Sequence, residues 1–209
     1  MLVLMLVLVA CGGGGTNTKG ASTGGSTSAN PIKQIVPTTL PSATVSVAPA
    51  SATADLTKTY TGNGFTIKYP TDWKLTTSTT EVALTDPAGS YNLTIGLTPN
   101  PNGAKTADQL ADGGIAGARE NLKNVKTINL PQTTTIDNQT WSQRSISGTS
   151  TLSGQSSDIE AVVLANNHPT RTTATKGYVL VYVAEKDTFD QAKTKYFQAM
   201  LQSFKYTAA

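Results

Sequence analysis

Few side chains in this 209-residue chain could carry out a reaction: it has one cysteine, Cys11, and one histidine, His168. A serine hydrolase needs its nucleophile on a sharp turn between a strand and a helix, with a histidine base beside it. Gly20-Ala21-Ser22-Thr23-Gly24 has the Gly-x-Ser-x-Gly form, but its low-complexity surroundings supply neither strand nor helix. His168 sits in Asn166-Asn167-His168-Pro169, read as an exposed turn-like loop with no serine motif to serve. A metal centre would need several histidine, thiolate or carboxylate ligands at converging spacing, and no such spacing occurs. Among the acids, Asp158 and Glu160 alternate onto one strand face and could pair as acid and base. Asp187 and Asp190 fit the first turn of a helix better. The run Gly113-Gly114-Ile115-Ala116-Gly117-Ala118 lacks the glycine spacing and the preceding strand of a dinucleotide-binding loop. The expectation is therefore a protein that is not an enzyme, with no catalytic residue, no cofactor and no metal.

The remaining chemistry is that of the Cys11 thiol. Residues 1–10 form an apolar run, too short for the roughly 20 residues that a spanning helix needs but of the length found in secretory leaders. Leu8-Val9-Ala10-Cys11 resembles the bacterial lipobox, in which the leader is removed before the cysteine and the thiol receives a diacylglyceryl group. A leader normally begins with basic residues, and none stands here. Either the start was assigned too late, which would truncate the leader, or Met1 is genuine and export is poor. A core cysteine is the weaker alternative, since four glycines follow at once and core strands tolerate glycine badly. Lipidation of Cys11, at about 0.8 kcal/mol per buried methylene, would hold the protein stably at a membrane once two or more chains are attached. With the lone thiol so used, no disulfide forms, and an exported domain must rest on its apolar core.

Residues 11–54 carry the acylated cysteine and then Gly, Ser, Thr, Ala and Pro with hardly any large apolar side chain. Such sequence cannot offset its ordering entropy and reads as a disordered tether. Residues 55–209 suffice for one domain. Phe65, Ile67 and Tyr69 alternate with polar residues up to Pro70, as in a half-buried strand. Val82 to Thr85 and Leu93 to Leu97 repeat the pattern across an Asp86-Pro87-Ala88-Gly89 turn. Thr106-Ala107-Asp108-Gln109 has the form of a capping box, and Ala107, Leu110, Ala111, Ile115, Ala118, Leu122 and Val125 follow at helical spacing. Gly113, Gly114 and Gly117 either break that helix or let it approach a sheet closely. Further strands are expected over 127–135, from Trp141 to about Thr149 after an Asp137-Asn138 turn, and over 159–165 and 178–184. Both faces of 178–184 are apolar, so that strand should be covered on both sides. A last helix should begin at Asp187 and align Phe189, Ala192, Tyr196, Met200 and Phe204. The class is α+β.

Gly64-Phe65-Thr66-Ile67-Lys68-Tyr69-Pro70-Thr71-Asp72-Trp73 resembles the opening motif of the PsbP/Mog1-like family, roughly Gly-Phe-x-Ile-x-Tyr-Pro-x-x-Trp, and the element order and closing Ser203-Phe204 helix are similar too. The resemblance implies an α/β/α sandwich around a central antiparallel β-sheet flanked by helices. It also implies non-catalytic roles, as accessory binding to a photosystem or to a small GTPase. Neither partner transfers, because no position here matches a functional residue of the family. The motif also has a structural account: Phe65, Ile67 and Tyr69 fill core, Pro70 stops the strand, and Trp73 packs over the sheet end.

The charge of +3 is mild, and the lysines and arginines are scattered without interleaved aromatics, which does not suggest nucleic acid as a partner. Two readings remain. The favoured one is a lipid-anchored lipoprotein on the extracytoplasmic side of a bacterial membrane, a binding or scaffold module for a protein or cell-envelope component. The other is an envelope enzyme or small-ligand receptor whose site is assembled from distant residues and forms a deep pocket with convergent polar groups.

Overall fold

The computed structural model describes residues 53–152 and 155–207. The apolar run, Cys11, the Gly-x-Ser-x-Gly match and the tether up to residue 52 lie outside the described residues; Ala54, the last residue assigned to the tether, donates its backbone amide to the Lys195 carbonyl at 2.8 Å. An Asn63-Gly64 turn with both residues at positive φ joins β1 (Lys58–Gly62) to β2 (Phe65–Tyr69), the geometry for which Asn-Gly is the preferred pair. With β11 (Lys205–Tyr206), these strands form a three-stranded sheet in the order β1-β2-β11. β2 buries Phe65, Ile67 and Tyr69 and exposes Lys68, the alternation expected of it.

A larger antiparallel sheet holds β3 (Lys74–Thr77), β4 (Glu81–Thr85), β5 (Tyr91–Pro99), β10 (Lys176–Glu185), β9 (Gln155–His168), β8 (Gln139–Leu152) and β6 (Leu122–Thr127) in that spatial order, with β7 (Thr133–Ile136) also paired to β8. The domain is thus mostly antiparallel sheet with few helices, an α+β architecture. The Asp86 turn closes β4 onto β5: its carboxylate accepts from the Tyr91 amide at 2.6 Å and the Ala88 amide at 3.2 Å. Asp137 and Asn138, both at positive φ, form the two-residue turn between β7 and β8.

β10 lies between β5 and β9, and its side chains supply both faces of the sheet. Tyr178, Leu180, Tyr182 and Ala184 join Val82, Leu84, Leu93, Ile95, Val162 and Leu164 on one face. There they meet β2 and the C-terminal helical segment, which comprises α2 (Phe189–Ala192), a π-helical turn (Lys193–Phe197) and α3 (Gln198–Ser203). Val179, Val181 and Val183 face the other way, with Ile159, Ala161, Val163 and Ala165, onto α1 (Ala107–Glu120). Coverage on both faces explains why this strand reads as a continuous apolar run. Phe65 stacks on Phe204 at 5.2 Å, and Trp141 meets Phe204 edge-on at 5.5 Å. Trp73, 3 % exposed, packs on Tyr196 and Phe197 of the helical segment.

The capping box at the start of α1 is present in full, with the Gln109 amide donating to Thr106 Oγ1 and the Thr106 amide to Gln109 Oε1. The glycines do not break this helix. A Cβ on Gly114 would lie 2.8 Å from Val163 Cγ1 and 3.1 Å from Val179 Cγ1, so its smallness permits the close approach. The helix does end earlier than its apolar spacing suggests. Asn121 closes it, and Leu122 and Val125 belong to β6, which carries a register shift with Asn124 at positive φ. Apolar residues three apart suit a bulged strand as well as a helix, and only the pairing with β8 decides between them. Asp187 is likewise not a helix cap: it falls in a 3-10 turn over Lys186–Thr188, and α2 starts after Thr188 without a side-chain cap.

Candidate functional site

The β8–β9 hairpin is longer than the strands beside it. β9 stays paired to β8 through Thr149↔Asp158, Ser150↔Ser157, Thr151↔Ser156 and Leu152↔Gln155. On its other side, β10 pairs only as far as Glu185↔Ile159 and then turns away through Lys186–Thr188. The step so left forms an open cleft of about 430 Å³ lined by Thr149, Ser156, Ser157, Asp158, Glu185 and Asp187. Thr149 Oγ1 donates to Asp158 Oδ1 at 2.8 Å, and Ser157 Oγ reaches Glu185 Oε1 at 3.4 Å. Strand alternation puts Glu160 on the same face as Asp158, but Glu160 lies opposite Ser147 and Ala184. Burial raises the Glu160 carboxyl, the negative charge of Asp190 adds to this, and Lys186 and Lys193 oppose it. The lining is acidic and hydroxyl-rich, chemistry suited to a cation or a basic group. Among the described residues, no three histidine, cysteine or carboxylate side chains are placed to hold a metal ion.

His168 is not in an exposed loop, contrary to the expectation from sequence. It is the last residue of β9, opposite Lys176, and is half-buried. Its ring stacks on Tyr206 with centroids 3.8 Å apart and planes 8° apart, while Trp141 lies parallel to Tyr206 at 6.0 Å. Burial lowers the tendency of the imidazole to take a proton, and the nearby Asp137 carboxylate partly offsets this. Among the described residues the His168 side chain makes no hydrogen bond to a serine, threonine or carboxylate.

Two polar clusters join residues far apart in the sequence. Asp137 accepts from Lys205 Nζ and from the Tyr206 amide, each at 2.9 Å, which ties the β7–β8 turn to β11. Arg144 on β8 donates to Asp108 at 2.9 Å and Asp112 at 2.8 Å on α1, which ties helix to sheet. The hydrogen bond from Arg144, helped by one from Ser142, holds the Asp108 carboxyl below its ordinary range. Asp108 and Asp112, four apart on one helix face, repel each other unless a cation lies between them, but nothing in their spacing points to Arg144; nothing local signals the Asp137 contact either, which spans 68 residues to Lys205.

No helix among the described residues is long and apolar enough to cross a membrane. No protein-family model and no curated protein matches the chain. Among solved structures it is similar to a protein from Bacteroides thetaiotaomicron VPI-5482, with 10% identity and a TM-score of 0.41, over 69% of this chain and 46% of that one. This chain therefore spans about half of that protein's length. It is also similar to LpqN, a Mycobacterium tuberculosis protein described as involved in cell envelope biogenesis, with 15% identity and a TM-score of 0.46, over 69% of this chain and 83% of that one. With both TM-scores below 0.5, neither likeness assigns a family or an activity.

Proposed function

We propose that this chain is a lipid-anchored extracytoplasmic lipoprotein whose domain is a non-enzymatic binding or scaffold module of PsbP/Mog1-like, three-layered design. The observation that carries the reading is Leu8-Val9-Ala10-Cys11 placed before a Gly/Ser/Thr/Pro tract and a single α+β domain. Anchor, spacer and body follow in the order needed to display a domain away from a membrane. The layering is supported by α1 on one face of the sheet and the C-terminal helical segment on the other. The binding role is supported by a cleft that is open and lined with surface polar groups. Ligand pockets that enclose small molecules are instead mostly apolar and bury most of the ligand.

The test is expression of wild type and Cys11→Ser in a bacterial host that processes lipoproteins. Wild type is expected to carry the mass of a lipid on Cys11, with residues 1–10 absent, and to enter the detergent phase. Cys11→Ser should lack that mass and stay in the aqueous phase. A wild-type protein found unmodified in the aqueous phase would overturn the anchor.

A further inference from the structure

The large sheet has free strand edges of two kinds. At one end, β3 carries Lys74; at the other, β6 carries Lys123 and Lys126 together with its register shift, and β7, which also pairs with β8, is only four residues long. Lysines, bulges and very short edge strands are devices by which proteins keep sheet edges from pairing with other chains. The remaining edge is the stretch of β9 that runs past β10, where residues 155–158 read Gln-Ser-Ser-Asp. It has no lysine, no proline and no bulge. Along an antiparallel strand, alternate residues turn both backbone groups to one neighbour and then to the other. Beyond Ile159 the groups that face away from β8 have no strand partner among the described residues, and the cleft lies in front of them.

We propose that this step in the sheet is a strand-addition site for an extended protein segment carrying adjacent Lys or Arg residues. The proposal rests on the binding-module reading above and names the class of partner. Backbone bonds to the free groups of 155–158 would supply affinity without regard to side chains, as in other strand-addition complexes. Selectivity comes from the acids that flank the edge. Asp158 lies on the face of the C-terminal helical segment, and Glu185, in register with Ile159, lies on the α1 face. Side chains of an added strand alternate between faces, so two consecutive basic residues would meet one acid on each, with Asp187 at the mouth of the cleft. A second copy of this chain is disfavoured, because pairing the same edge antiparallel would set Asp158, Glu185 and Asp187 against their own counterparts.

The experiment adds the capped peptide Thr-Val-Thr-Lys-Lys-Thr-Val-Thr to the full-length protein and follows amide hydrogen exchange. Slowed exchange is expected within 155–158, with β3 and β6 unchanged. The double variant Glu185→Gln/Asp187→Asn, which alters exposed and half-exposed side chains, should bind about tenfold more weakly. A peptide N-methylated at alternate residues should not protect the edge. The proposal is overturned if exchange at 155–158 does not change, if the double variant binds as well as wild type, or if a peptide with Glu in place of Lys protects equally. Exchange in the domain does not depend on a lipid at Cys11, so failure here and failure of the anchor are separate results. A photo-crosslinker at Thr76 that captures a partner in cells, where one at Ser156 does not, would remove the edge assignment and leave a binding module.

Discussion

Neighbouring glycines in α1 have opposite meanings. A methyl group at Gly114 meets Val163 at 2.8 Å and Val179 at 3.1 Å, both in the core between helix and sheet, whereas one at Gly113 meets nothing within 4 Å. In an exposed helix interior, Gly to Ala gains about 0.8–1.0 kcal/mol, and overpacking a core costs about 1–3 kcal/mol. Gly113→Ala should therefore raise the thermal midpoint by about 2–4 °C, the shift per kcal/mol for a domain of this size. Gly114→Ala should lower it, because the two valines sit on neighbouring central strands and cannot move apart cheaply. Equal shifts for the two variants in a thermal melt would mean that α1 does not sit on the sheet as closely as described. Helical spacing alone left open whether these glycines break the helix or admit it to the sheet; the valines on β9 and β10 settle it, and they are far away in sequence.

At the scale of elements, the two-residue strand β11 is held largely from outside itself. Among the described residues its strand partners are Thr66 and Phe65 alone, and the Asp137 carboxylate takes hydrogen bonds from both its residues. Burial alone would raise the Asp137 carboxyl, but the bonds from Lys205 and the Tyr206 amide outweigh it and leave the group below its ordinary range. A carboxylate depressed in the fold stabilises it above the ordinary pKa of about 3.9, and this is lost as pH falls through the depressed value. His168, against the same strand, works in the opposite pH region. Burial favours its neutral form, so the unfolded chain binds the proton more readily, and stability falls as pH drops below the ordinary value of about 6.5. Urea unfolding of wild type should show a falling midpoint from pH 7 to pH 5, and His168→Phe, which keeps a ring to stack on Tyr206, should flatten it. A wild-type profile already flat in that window would contradict the burial of the imidazole. The alternation of β2 and β5 and the continuous apolar run of β10 are legible in the sequence, as is the capping box. Asn63-Gly64 is a strong hairpin signal, but β1 itself, Lys-Thr-Tyr-Thr-Gly, has no apolar alternation to mark it as a strand. β3, β6 and β11 are short or bulged and exist through their pairing, which no local pattern carries.

For the molecule as a whole, the class could be read from the order of elements, while the candidate site could not. The cleft and free edge exist because β10 turns away at Glu185 while β8 and β9 continue, a difference in strand length that no residue type announces. The same central strand decides how the domain unfolds. β10 places Leu180 and Tyr182 in the core under the C-terminal helical segment, and Val179, Val181 and Val183 in the core under α1. Neither layer can lose its partner without exposing the backbone of this strand, so the two cores should melt together. Both tryptophans, Trp73 and Trp141, belong to the first core, and Val181, 1 % exposed, belongs to the second. Val181→Ala removes packing only on the α1 side and should cost about 2 kcal/mol. In a cooperative domain, the midpoint read from tryptophan fluorescence should fall by the same amount as that read from far-ultraviolet circular dichroism, about 4–8 °C. If the circular dichroism midpoint fell while tryptophan fluorescence held its wild-type midpoint, the α1 layer would unfold by itself and β10 would not couple the two cores.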